Sequence, residues 1–166
     1  MEFQKNLLDY ISHSLLTTNE TISVAESVTS GFLQLAFSQM PNASLFYNGG
    51  VTAYNLSEKV KLLNIDKEQG LECDCVSPAI TEDMAINIAK LFETDWGISV
   101  TGYCTPIRHS SYKLFCFFSF AYKNEIILTK KLELHPKTPS INAQLYYTEF
   151  ILGCFKSEIN KLLTLK

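Results

Sequence analysis

With 166 residues, 46% of them hydrophobic and 19% charged, the chain has the composition of a folded domain with one sizeable core, not of a disordered segment. Its net charge of −3 and single arginine, Arg108, leave no basic cluster of the kind nucleic acid needs, so no nucleic-acid partner is expected. No apolar run is long enough for a bilayer, Met1-Glu2-Phe3-Gln4-Lys5 lacks a secretory pattern, and the cysteines (Cys73, Cys75, Cys104, Cys116, Cys154) are irregularly spaced, so the expectation is a cytoplasmic protein with no membrane partner.

In chain order, Phe3 to Thr17 reads as an amphipathic helix, with Leu7, Leu8, Ile11, Leu15 and Leu16 near helical spacing. Thr21 to Ala25 reads as a short strand and Gly31 to Met40 as a helix ended by Pro41-Asn42. Leu45 to Tyr54 reads as extended, with Gly49-Gly50 marking a bulge or a close backbone approach. Asn55 is a good N-cap for a short helix over Leu56 to Leu63, and Ser77-Pro78 opens another whose face is Ile80, Met84, Ile88 and Leu91. Ile98 to Thr101 reads as a buried strand. Lys113 to Tyr122 and Ile126 to Leu134, separated by Asn124, read as an antiparallel hairpin with Lys130-Lys131 on an edge strand. Thr138-Pro139 predicts a cap and first turn for a last helix running to about Leu163. Strands that alternate with helices early and pair as a hairpin late predict one α/β domain over residues 1–166, a three-layer α/β/α arrangement around a mixed sheet.

Three segments could carry chemistry. In Val24-Ala25-Glu26-Ser27-Val28-Thr29-Ser30-Gly31 an apolar strand stops, small polar residues follow and a helix begins. A serine at such a junction can attack a carbonyl while nearby amides receive the oxyanion; the simpler reading is that Ser27, Thr29 or Ser30 caps the helix. In Gly49 to Lys59, Tyr54 closes a strand and Lys59 falls early on the next helix, so both could project over one end of the sheet. There a desolvated lysine can act as a base, whereas the simpler reading is a solvated helix lysine. Val100 to Pro106 is a strand end and loop on the same edge, with Cys104 as a lining residue. Cys73-Asp74-Cys75 lacks a second close Cys/His pair, so no metal is expected, and His13, His109 and His135 form no set.

Taken together these segments resemble the CinA C-terminal domain family, which includes stand-alone nicotinamide mononucleotide deamidases. The family's Ala-Glu-Ser-x-Thr-Gly-Gly stands here as Ala25-Glu26-Ser27-Val28-Thr29-Ser30-Gly31. Its proline, Gly-Gly-Val strand and Tyr-to-Lys spacing stand as Pro41, Gly49-Gly50-Val51 and Tyr54 to Lys59. Its Val-Ser, Met-Ala and Thr-Gly pairs stand as Val76-Ser77, Met84-Ala85 and Thr101-Gly102. The resemblance implies hydrolysis of a nicotinamide-nucleotide carboxamide to the acid and ammonia, without metal or other cofactor. Ser27 would be the nucleophile and Lys59 the general base, with Tyr54 and Thr101 positioning them. It implies substrate contacts at Glu26, Thr29, Ser30, Gly31, Gly50 and Gly102, a nucleotide-like small molecule as substrate, and a homo-oligomer.

Three departures accompany the match. Ser30 replaces a glycine where close backbone approach is expected. The family's glycine-rich loop has become Thr101 to Ser111, with most glycines gone, and the arginines expected before the last helix are absent from His135 to Asn142. Lys137 and Arg108 are the candidates to compensate. The alternative to an amidohydrolase is therefore a catalytically inactive CinA-like module that binds a ligand or a protein. The aromatic strand Phe115 to Phe120 adds a reason to expect self-association if it lies at an edge or has an uncovered face.

Overall fold

A computed structural model describes residues 3–165; Met1-Glu2, the start of the segment read above as lacking a secretory pattern, lies outside them. Five strands form one sheet: β1 (Ile22–Glu26), β2 (Tyr47–Thr52), β3 (Trp96–Gly102), β4 (Leu114–Tyr122) and β5 (Glu125–Leu134), in the order β2-β1-β3-β4-β5. β1 pairs in parallel with both β2 and β3, while β4 and β5 add antiparallel strands. The sheet is therefore mixed, as the sequence predicts. β1 is flanked on both sides and all five of its residues are buried, including the polar Ser23, whose hydroxyl donates to the Ile88 carbonyl, and Glu26. The β4–β5 hairpin turns through Lys123 and Asn124, both with positive φ, as a two-residue turn compatible with strand twist requires.

Helices α1 (Lys5–Thr18), α2 (Phe32–Ser38) and α6 (Ser140–Thr164) cover one face. Their core joins Ile11, Leu15, Phe37, Trp96, Phe118, Phe120, Tyr147 and Phe155. Helices α3 (Leu56–Leu63) and α5 (Pro78–Phe92) cover the other, packing Leu63, Ile80, Met84 and Ile88 against Ala25 and Ala53, with the short α4 (Lys67–Glu72) beside α3. α5 sits close on β3 because residue 97 is glycine: a Cβ there would stand 2.1 Å from the Ala85 carbonyl oxygen.

Several local expectations are met and some are corrected. Asn55 accepts from the Glu58 amide and Ser77 from the Ile80 amide, with Pro78 in the first turn. Thr138 does not cap α6, which starts at Ser140 with Pro139 at the cap position and no side-chain cap. α4 went unpredicted, as its six residues carry no sustained periodicity. β4 is an interior strand and β5, with Lys130 and Lys131, is the edge. Phe118 and Phe120 are buried, whereas Phe115 and Phe117 are half-buried, with the Lys131 ammonium over the Phe115 ring. Among the described residues no helix is long and apolar enough to cross a membrane.

Parallel pairing fixes where the chemistry can gather. β1, β2 and β3 run the same way, so Ser27, Ala53-Tyr54 and Thr101 to Tyr103 emerge at one sheet edge. The connection after β1 crosses by α2 on one face and the connection after β2 returns by α3 and α5 on the other, so a crevice opens at the carboxyl ends.

Candidate active site

The crevice is a cavity of about 590 Å³ lined by Ser27, Tyr54, Lys59, Asp74, Thr101 and Tyr103, among others. Ser27 is the first residue after β1 and is 7% exposed. Lys59 stands on the first turn of α3, a helix that Asn55 starts by capping. Its stem runs under the sheet edge and only 2% of the residue meets solvent. Its Nζ donates to Ser27 Oγ at 2.9 Å and to the Ala53 carbonyl at 2.7 Å. Burial pushes the Lys59 ammonium below the ordinary lysine range, against the opposing pull of Cys75 and Asp74. The solvated-lysine alternative is thereby excluded. The arrangement is a hydroxyl beside an amine whose burial disfavours its charged form, with a second acceptor fixing the amine in place.

The capping alternative for the β1–α2 junction is corrected as well. Gly31 holds the cap position with no side-chain cap of its own. The helix amides of Leu33 and Gln34 instead donate to the Glu26 carboxylate, as do the Gly31 amide and the Thr29 hydroxyl. Glu26 is fully buried, so its charge is balanced by these donors at the helix start. Ser27 is left free to face the cavity.

The remaining predicted residues fall into two groups. Tyr54, Thr101 and Gly102 line the cavity with Ser27 and Lys59; Tyr54 is 65% exposed at the mouth. Thr101 Oγ1 donates to the Cys75 carbonyl at 2.9 Å, so it ties the segment after α4 to the end of β3. Glu26, Thr29, Ser30, Gly31 and Gly50 do not line it. Glu26, Thr29 and Gly31 form the junction scaffold. Gly50 serves close packing, since a Cβ there would stand 2.6 Å from both the Val24 carbonyl oxygen and its Cγ2. Ser30 is exposed with φ +49, so the conformation rather than space is what favours glycine at that position.

Residues to which the sequence assigns no site role complete the walls. Asp74 and Cys75 line the cavity, as does His109. Tyr103 Oη donates to Asp74 Oδ2 at 2.9 Å, and His109 Nδ1 lies 3.8 Å from the same oxygen. Burial and the bond to Asp74 both push the Tyr103 phenol above its ordinary range. From α6, Gln144 donates to the Val28 carbonyl and Tyr147 to the Tyr103 carbonyl, pinning the loops that flank Ser27. Neither Arg108 nor Lys137 lines the cavity.

An α/β/α domain with a crevice at the carboxyl ends of β1, β2 and β3 is the class of protein that the fold and site define. The family model of the CinA C-terminal domain matches residues 4–148, and the chain belongs to that family. CinA-like proteins from Cyanothece sp. and Synechocystis sp. are 35% identical over 103 residues and 42% identical over 87, which is 62% and 52% of this chain. Those matches cover 25% and 21% of the relatives, so the chain spans about a quarter of their length. The solved structure of competence damage-inducible protein A from Klebsiella pneumoniae superposes with a TM-score of 0.87 at 20% identity, covering 96% of this chain and 98% of that one. A competence/damage-inducible protein from Agrobacterium tumefaciens gives 0.84 at 19%, covering 96% and 99%. At these identities the likeness carries the fold.

Proposed function

We propose that the chain is an amidohydrolase that releases ammonia from a pyridine carboxamide of the nicotinamide-nucleotide type. The observation that carries the reading is the buried contact between Lys59 Nζ and Ser27 Oγ. With Lys59 neutral, the Ser27 hydroxyl donates its proton to the amine lone pair as Oγ attacks the carboxamide carbon. The carbonyl electron pair moves to oxygen, where amides of the turn after Ser27 would receive it. The Lys59 ammonium then returns the proton to the amide nitrogen as the C–N bond breaks, and ammonia leaves an acyl ester on Ser27. Water attacks that ester, Lys59 takes the water's proton and passes it to Ser27 Oγ, and the carboxylic acid departs. Every proton is moved by one amine, and its burial favours the neutral form that the first step needs.

The test is ammonia release from a panel of pyridine carboxamides, including nicotinamide mononucleotide, by the wild type and by Ser27→Ala. Turnover that requires Ser27 is the expected result. Turnover that survives Ser27→Ala removes the nucleophile, and no turnover on any amide favours the non-catalytic module.

A further inference from the structure

We infer that the cavity selects a cationic carboxamide without a phosphate over its phosphorylated counterpart, an inference that rests on the amidohydrolase reading for the nature of the ligand. The charge-bearing Lys, Arg, His, Asp and Glu side chains among the cavity's lining residues are Lys59, Asp74 and His109. Lys59 is buried and committed to Ser27 and the Ala53 carbonyl. Asp74 stands at the mouth, and His109, when protonated, is already beside the Asp74 carboxylate. A phosphate entering this mouth would meet a carboxylate and no cation of its own. The loop from Tyr103 to Ser111 contains no glycine with which to wrap backbone amides around an anion.

The same mouth suits a flat cation. Tyr54 and Tyr103 present aromatic rings and Asp74 a carboxylate, the set that binds a planar organic cation such as an N-substituted pyridinium. Asp74 is also held in place at some cost. It and Cys75 are consecutive non-glycine residues with positive φ, at +51 and +57. The Cys75 amide donates to the Gly70 carbonyl, the Cys75 carbonyl accepts from Thr101, and the Asp74 carboxylate accepts from Tyr103. Two consecutive left-handed residues pinned from three sides fix one carboxylate at the entrance to Ser27.

Binding separates this inference from turnover. Calorimetry on Ser27→Ala protein compares nicotinamide riboside, a phosphate-free pyridinium, with nicotinamide mononucleotide. The riboside should bind roughly tenfold tighter or more, the order expected from one partly exposed carboxylate acting on two units of ligand charge. Adding Asp74→Asn should erase most of that preference, and Asp74→Glu should restore part of it. Equal or tighter binding of the mononucleotide, binding of neither ligand, or a preference that survives Asp74→Asn each overturns the inference. Ammonia release by the wild type reports separately: hydrolysis that favours the mononucleotide and requires Ser27 keeps the amidohydrolase and removes this selectivity. A riboside preference in binding without any turnover does the reverse.

Discussion

Lys59 reaches Ser27 across 2.9 Å from a helix on the opposite side of the crevice, and it does so almost wholly out of water. That relationship makes two expectations quantitative. Ser27→Ala and Lys59→Met should each lower ammonia release by about 10³-fold or more, and the double variant should lose little beyond either single one, because nucleophile and base act as a unit. In the wild type, kcat/KM should rise with pH along an acid limb set by Lys59, lying below the ordinary lysine value of 10.5. Initial rates across pH, with a thermal melt at each point, check both.

The same burial has a stability consequence whose sign follows from proton counting. The folded-state pKa of Lys59 lies below its unfolded value, so between the two the unfolded chain binds the extra proton and stability rises with pH. Below the folded pKa the full penalty of burying the ammonium is present. Lys59→Met removes this titration. The stability of Lys59→Met minus that of the wild type should therefore fall as pH is raised from neutral past 10.5. Urea midpoints at neutral and alkaline pH measure it, and a difference that stays flat or grows would contradict the assignment of Lys59 as a buried, depressed amine.

Glu26 offers a prediction about the scaffold. Its carboxylate accepts from three backbone amides and the Thr29 hydroxyl at the start of α2. Glu26→Gln keeps the shape but turns an N–H₂ group toward N–H donors and removes the charge that the helix start favours. The cost should be about 2 to 3 kcal/mol in urea denaturation. Ser30→Gly, one turn away, should change stability in the other direction by roughly 0.5 to 1 kcal/mol, because φ +49 strains a residue with a Cβ.

Part of this arrangement is legible in the amino-acid sequence. Strand–helix alternation and the late hairpin were legible because periodicity and turn residues such as Asn124 act locally. Ser27 and Lys59 were legible through their motifs, but their meeting depends on parallel pairing of β1 with β2, a long-range fact. Thr29 and Ser30 looked like caps because hydroxyls usually cap helices, and the role passed instead to a carboxylate five residues before the cap position. Asp74 and His109 take no site role from the sequence, because no periodic pattern marks a loop residue whose partner is Tyr103 or Asp74 across a crevice. The Cys73-Asp74-Cys75 triplet, whose last two residues adopt a left-handed conformation, is the one local clue.

Glycine positions give the sharpest test of how tightly the two layers meet. At Gly97 a Cβ would lie 2.1 Å from the Ala85 carbonyl oxygen and 3.1 Å from its carbon, both backbone atoms of α5 that no side-chain rotation can move. Gly97→Ala must push α5 off β3 and should cost about 3 kcal/mol or more. At Gly153, exposed on α6, a Cβ meets nothing within 4 Å, and the residue sits inside a helix. Gly153→Ala should therefore gain about 0.5 to 1 kcal/mol. Paired urea titrations decide the matter: a tolerated Gly97→Ala would mean that α5 does not lie on β3 as closely as described. The register that brings the Cys75 carbonyl to Thr101 would then loosen with it, because α5 follows that segment directly in the chain.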